Sequence, residues 1–357
     1  MTPAAPVAAA SAAPALLAWP EPAREQAFES WFHAIAPRHG LARETLRLAS
    51  ADASARRYLR VEGRGASYIV MDSPSAEDSI AAFVRIAALI QDAGLNGPRV
   101  LAQDTTHGFL LLDDLGDQPY LGALQAADTA AADALMRDAI AALIQWQLRV
   151  DPATLPPYDD ALLRRELQLF PDWCVEREFG HGWSERQRKA WDDVSGRLIA
   201  SALAQPQVAV HRDWMPRNLM VCARNPGVLD FQDAVRGPIT YDLASLLRDA
   251  FISWDEEREL DWAVRYWQEA RAAGLPVDED FGEFWRATEW MGLQRHLKIL
   301  GIFCRLKHRD GKAAYSADLP RFFVYATKVA NRYAPVRPLL LLLEPLTGTA
   351  VRAGYTF

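Results

Sequence analysis

The chain has 357 residues, half of them hydrophobic and about a quarter charged, with a formal net charge of −7. The acidic balance argues against a nucleic-acid binder, whose domains are usually basic. No apolar run reaches the roughly 20 residues needed to cross a bilayer. Three scattered cysteines, Cys174, Cys222 and Cys304, form no CxxC pair and no zinc spacing. They read as reduced thiols of a cytoplasmic protein.

Residues 1–20 are nearly all Ala and Pro, with no Lys or Arg before Arg24. That composition predicts a disordered tail rather than a signal peptide. An amphipathic helix is expected from 21 to about 36. Short runs with partial alternation follow at 46–50, 57–62 and 67–72, separated by turn-forming segments, and read as strands. Ile80, Phe83, Val84, Ala87 and Ile90 recur at helical spacing and predict a helix over 77–93. Two further apolar runs, 99–102 and 108–112, lead to Asp113-Asp114-Leu115-Gly116. Three strands, a helix and two strands make a small sheet-based lobe, with a boundary near Gly116.

The remainder reads as mostly helical. Helices are expected at 128–149, 160–179 and 185–204, with Asp159 and Ser184 at N-cap positions. Later ones are expected at 241–251, 256–273, 281–300 and 319–333. The fold class is therefore α+β, with an N-terminal lobe over 21–116 and a larger, mainly helical C-terminal lobe over 117–357.

One island of strand interrupts the helices. Val208-Ala-Val-His211-Arg-Asp213 leads through Trp-Met-Pro-Arg to Asn218, the H-x-D-x-x-x-x-N spacing of a kinase catalytic loop. Asp230 follows in Val228-Leu-Asp-Phe, after the turn-forming Ala223-Arg-Asn-Pro-Gly227. A hairpin pairing 219–222 with 228–231 would bring Asn218 and Asp230 to the same end. An amide oxygen and a carboxylate are hard ligands suited to Mg2+. Asp213, on the loop leading in, can accept the proton of an incoming hydroxyl. Phosphoryl transfer asks mainly for positioning and charge neutralisation, which these three residues can supply. His211 reads as a structural hydrogen-bonder, and Asp233 as a further carboxylate near the metal.

This loop resembles the catalytic motif of the aminoglycoside phosphotransferase and choline kinase family. The run Val228-Leu-Asp-Phe-Gln-Asp-Ala-Val-Arg-Gly-Pro-Ile-Thr-Tyr-Asp-Leu-Ala-Ser-Leu-Leu-Arg-Asp249 is more closely similar to the anomeric kinases of N-acetylmuramate and N-acetylglucosamine. So are Ala51-Asp-Ala-Ser-Ala-Arg-Arg-Tyr-Leu-Arg60 and Phe170-Pro-Asp-Trp173. The resemblance implies a two-lobed, protein-kinase-like fold and transfer of the ATP γ-phosphate to a sugar's anomeric hydroxyl, a step in cell-wall recycling. It implies Asp213 as base, Asn218 and Asp230 on Mg2+, and Asp242 as a brace for the catalytic-loop backbone. It also implies that the loop over 51–57, with Ser54 and Arg57, covers the ATP phosphates. Asp113 and Leu115 would then stand at the hinge where backbone groups meet adenine. A monomer is expected.

One departure concerns the lysine that kinases carry on the third strand for the nucleotide phosphates. That strand reads Tyr68-Ile-Val-Met71-Asp72, and no lysine precedes Lys189. Arg57 or Arg60 is expected in its place, since a guanidinium pairs well with phosphate oxygens. For the sugar, the candidates are Arg217, Glu166, Asp172 and Trp214: carboxylates for hydroxyls, an indole (Trp214 or Trp173) for the ring face, and an arginine for a lactyl carboxylate. Arg295 is a second candidate for that carboxylate. Two other readings stay open at this point, a kinase of another small alcohol and a nucleotide-binding pseudokinase.

Overall fold

The computed structural model describes residues 19, 21–50, 56–74 and 77–347. The expected N-terminal tail and Ser54 lie outside the described residues. Contacts divide the chain into two compact units. One comprises the residues up to Ala87 together with Pro98–Leu115, and the other comprises Ala88–Gly97 and the chain from Gly116 onward.

The first unit opens with α1 (Pro22–His39), followed by strands β1 (Arg47–Ser50), β2 (Arg57–Glu62) and β3 (Ser67–Asp72). After α2 (Glu77–Asp92) come β4 (Val100–Asp104) and β5 (Phe109–Asp113). The five strands form one antiparallel sheet in the order β1-β2-β3-β5-β4. Strand alternation sends Leu59, Val61, Val70, Phe109 and Leu111 to one face, where they pack on Phe28, Trp31 and Phe32 of α1. Asp72 shares that face and is fully buried. Two arginines, Arg24 and Arg57, pair with its carboxylate. A lone buried carboxylate would be costly, and the two cations offset that cost.

The second unit contains α3 (Tyr120–Ala126), α4 (Thr129–Arg149), α5 (Asp160–Leu167) and α6 (Glu185–Ala204). Asp128 caps α4 and Asp159 caps α5, each accepting from a backbone N–H three residues on. Ser184 and Gln187 complete a reciprocal capping box on α6. Next come β6 (Gln207–Val210), β7 (Leu219–Met220), β8 (Gly227–Val228) and β9 (Val235–Pro238). Strand β6 pairs with β9, and β7 with β8. The chain continues through α7 (Tyr241–Leu247), α8 (Glu256–Ala272), α9 (Phe281–Asp310), α10 (Leu319–Arg332) and α11 (Leu340–Thr347). No helix among the described residues is long and apolar enough to cross a membrane.

Several expectations need correction. The helix expected over 160–179 breaks after Leu167 and resumes as a π-helix over Phe170–Glu178. Pro171 has no N–H to donate to the Leu167 carbonyl, so the regular ladder cannot continue there. Residues 88–97 fall with the second unit, not the first. The backbone carbonyl of Asn96 accepts from Val228 N at 2.8 Å, which ties this segment to β8. Strand β9 was not expected, because Gly237 and Pro238 weaken a strand reading; Pro238 sits at the strand's end opposite Gln207.

Helix α9 runs ten residues past its expected end and stops at Gly311, whose φ of 68° forms a left-handed cap. Gly301, in its interior, has another use. A β-carbon there would land on the Leu169 backbone carbonyl, so α9 and the segment before the π-helix meet at backbone distance. Gly301→Ala should therefore destabilise the protein by about 1–3 kcal/mol in urea titrations. Gly292→Ala, whose nearest new neighbour stands at 3.8 Å, should be neutral or stabilising by about 0.5–1 kcal/mol.

Candidate active site

The site is built on the end of β6. Val208, Ala209 and Val210 are buried, and they deliver His211 into the interior at 1% exposure. Burial pushes the His211 imidazole down to about 4, so it is neutral near pH 7. Its Nδ1 accepts the Asp213 backbone N–H at 3.3 Å, and its ring stands edge-on to Trp214. His211 therefore shapes the loop and is not placed as a base.

Arg212 has a φ of 78°, left-handed for a residue with a β-carbon. What holds it is Asp242, at the start of α7 and fully buried. The Asp242 carboxylate accepts the backbone N–H of His211 at 2.7 Å and of Arg212 at 2.9 Å. The loop then turns through Met215 N–H to the Asp213 carbonyl, 2.9 Å, and a short 3-10 turn over Pro216–Asn218.

Asn218 closes the loop. Its Nδ2 donates to the Asp213 carbonyl at 3.0 Å and points at Asp230 Oδ2 at 3.4 Å. Leu229 N–H donates to the Asn218 carbonyl at 2.9 Å, which continues the β7–β8 pairing towards Asp230. Asp230 itself is left-handed, with φ 60°, and accepts from Gln232 Nε2 at 2.9 Å. The hairpin is shorter than the sequence suggests because the chain kinks at Asp230 and Val221 N–H goes instead to the Gln118 carbonyl at 2.8 Å. The three groups singled out from the sequence thus meet around one loop inside the second unit. Among the described residues, no three His, Cys, Asp or Glu side chains gather as a metal cluster. A divalent ion here would draw on Asp230 and the Asn218 amide oxygen, leaving positions for water and phosphate, as Mg2+ prefers.

Other candidates fare differently. Trp214 is fully buried, so its indole offers no face to a sugar. Glu166 is 6% exposed, and its oxygens take Tyr158 Oη, the Arg212 guanidinium and Lys298 Nζ. It is an internal anchor, not an acceptor for sugar hydroxyls. Asp172 lies exposed on the π-helix and accepts from Gln168 Nε2 at 2.8 Å. Arg217 stands beside Asn218, its guanidinium 5.1 Å from the Phe251 ring centre. Arg295, on α9, is 3% exposed and brings Nη2 within 4.0 Å of Asp213 Oδ1.

In the first unit, strand register separates the two arginines. Tyr58 pairs with Met71 and Arg60 with Ile69, so Arg60 shares the face of Met71. Arg57 pairs with Asp72 and points to the opposite face, against α1. It therefore does not stand on the face where a third-strand lysine would project. Arg60 is held by Asp114 through contacts of 2.6 and 2.9 Å. Asp113 pairs with Arg99, and Leu115 is half-buried at the end of this unit.

The phosphotransferase enzyme family model matches residues 45–281, a span that includes all five strands of the first sheet and the whole loop from His211 to Asn218. The chain belongs to this family. It is 51% identical over 306 residues to an N-acetylmuramate/N-acetylglucosamine kinase of Pseudomonas putida, covering 86% of this chain and 89% of that one. A protein of the same name from Neisseria meningitidis is 45% identical over 337 residues, covering 94% and 99%. Among solved structures, an amicoumacin kinase in complex with AMP-PNP, Ca2+ and its ligand superposes with a TM-score of 0.57 at 14% identity, over 88% of this chain and 96% of that one. The two-lobed kinase-like fold of this phosphotransferase is thereby shown.

Sequence reading missed the buried partners of the loop. Tyr158, Lys298 and the Arg212 side chain carry no motif, and only helical spacing marks Lys298 as lying on α9. Asp242 has a measurable consequence. Burial pushes its carboxyl up to about 7, against the pull of the two N–H donors. A folded pKa above the unfolded value means this group's stabilisation is full below about pH 4 and is lost as pH rises through 7. Asp242→Asn should therefore remove about 2 kcal/mol of the stability difference between pH 5.5 and 8, read from urea titrations at both values.

Proposed function

We propose that the chain transfers the γ-phosphoryl group of ATP to the anomeric hydroxyl of an amino sugar, N-acetylmuramate or N-acetylglucosamine, giving the sugar 1-phosphate. The observation that carries this reading is the meeting of Asp213, Asn218 and Asp230 on one loop held by Asp242. The names of relatives at 45–51% identity support the sugar.

Asp213 is the base. Its side chain is 36% exposed, accessible to an acceptor, and its backbone is pinned by Asn218 and His211. A carboxylate near a sugar hydroxyl accepts that proton as the oxygen attacks phosphorus. The buried Arg295 guanidinium beside it offsets negative charge at the carboxylate. Asn218 and Asp230 would hold Mg2+, which would supply charge neutralisation to the nucleotide phosphates. Arg217, partly exposed next to Asn218, is the residue we assign to the acceptor's anionic or hydroxyl groups. We assign the enzyme to the cytoplasm, where ATP is available.

Arg60 replaces the absent lysine. It shares the face of Met71, and a guanidinium with five N–H donors can keep Asp114 while meeting a phosphate oxygen.

Asp213→Asn should lower kcat by about 10²–10⁴-fold while ATP binding by calorimetry stays near wild type. Wild-type turnover in that variant would reject Asp213 as base. Phosphorus NMR of the product should place the phosphate on the anomeric carbon; phosphate on any other carbon would reject the anomeric assignment.

Arg60→Ala should raise the KM for ATP. Arg57→Ala should leave that KM unchanged and lower stability by about 1–3 kcal/mol, because buried Asp72 then keeps Arg24 as its one cation among the described residues. Equal KM values for wild type and Arg60→Ala would remove Arg60 from the phosphate site.

A further inference from the structure

Glu166 is the most heavily engaged buried acid next to the catalytic loop. It stands in the last turn of α5, and its partners are buried or largely buried. Oε1 takes the Arg212 guanidinium and Lys298 Nζ, the latter at 2.9 Å. Oε2 takes the Tyr158 hydroxyl. Around this core, Gln294 Nε2 donates to Tyr158 Oη at 3.1 Å, and Lys298 Nζ donates to Tyr241 Oη at 3.2 Å. Burial by itself would raise the carboxyl, but Lys298 and Arg212 outweigh it and hold the group below the ordinary carboxylate range. Glu166 is thus a fixed anion, tied to α9 on one side and to Arg212 on the other.

Arg212 is the residue immediately before Asp213, and it is one of two described non-glycine residues with positive φ. Asp242 grips its backbone N–H, and Glu166 grips its side chain. Two buried carboxylates from different helices therefore act on one left-handed residue. If either let go, the residue would relax toward ordinary φ, and the following carboxylate would turn with it.

We propose that Glu166 is a positioning residue for phosphoryl transfer. Through the Arg212 side chain it holds the left-handed turn that aims Asp213. This inference rests on Asp213 being the base.

Glycine adopts positive φ without strain, and that makes the idea testable. Steady-state kcat and both KM values, with melting temperatures, would be measured for Glu166→Gln, Arg212→Ala, Arg212→Gly and Asp213→Asn. Glu166→Gln should lower kcat at least ten-fold, with both KM values within two-fold of wild type. Arg212→Ala should do the same, since it loses the clamp yet keeps a β-carbon. Arg212→Gly, lacking the clamp but free to take the turn, should recover at least five-fold in kcat over Arg212→Ala.

Equal kcat for the alanine and glycine variants would overturn the proposal, because a purely packing role predicts no rescue by the smaller residue. A raised acceptor KM with unchanged kcat in Glu166→Gln would also overturn it, making Glu166 a sugar ligand. If Glu166→Gln fails to fold, the comparison at position 212 decides alone. Wild-type turnover in Asp213→Asn would overturn the base assignment itself, together with this inference. Loss of turnover in Asp213→Asn, without glycine rescue at 212, would leave the base standing and reject only the positioning role.

Discussion

A single carboxylate taking two consecutive peptide N–H groups sets the geometry on which the active loop depends. Asp242 is fully buried, and it is there because the ends of β6 and α7 bring it under His211 and Arg212. Burial opposes its ionisation, while the two donors favour it. In return the backbone of Arg212 is kept in a conformation that a residue with a β-carbon rarely adopts. From that turn follow the direction of Asp213, the 3-10 turn to Asn218, and the short hairpin that carries Asp230.

Buried charge is used in the same way elsewhere in the second unit. Arg248 lies between Glu259 and Glu289, and Glu289 also receives Arg332 and the Tyr333 hydroxyl. Glu166 lies between Arg212 and Lys298. Each acid has at least one cation, and most have an additional hydroxyl donor. Such networks contribute little net stability compared with apolar packing, yet removing one member leaves an uncompensated charge. They join helices that are distant in sequence in one defined register. The catalytic loop sits against one of them.

The elements were legible wherever local signals were strong. The amphipathic helices and the caps at Asp159 and Ser184 followed from periodicity and side-chain oxygen, and the strands of the sheet from partial alternation and apolar runs. Reading failed where tertiary contact overrides local preference. Pro171 interrupts a helix that resumes with a wider ladder, and Gly301 permits a close helix approach where the sequence reads as a stop. Among site residues, the spacing from His211 to Asn218 and on to Asp230 was enough to bring three groups together, since a loop and a hairpin are local structures. The assignments of Glu166 and Trp214 to the sugar were not sustained, because burial cannot be read from residue type.

The sequence by itself determined the alternation of strands and helices, the spacing of Asp213, Asn218 and Asp230 along the loop and hairpin, and the absence of a third-strand lysine. Each is written in spacing along a short stretch of chain. Only the tertiary structure decided which charged residues face inward, which face of the sheet each arginine takes, and what holds Arg212 in its turn. Those depend on partners tens of residues away, as Asp242 and Glu166 are from Arg212. The free energy of a buried charge is set by what surrounds it in space rather than by its neighbours in the chain.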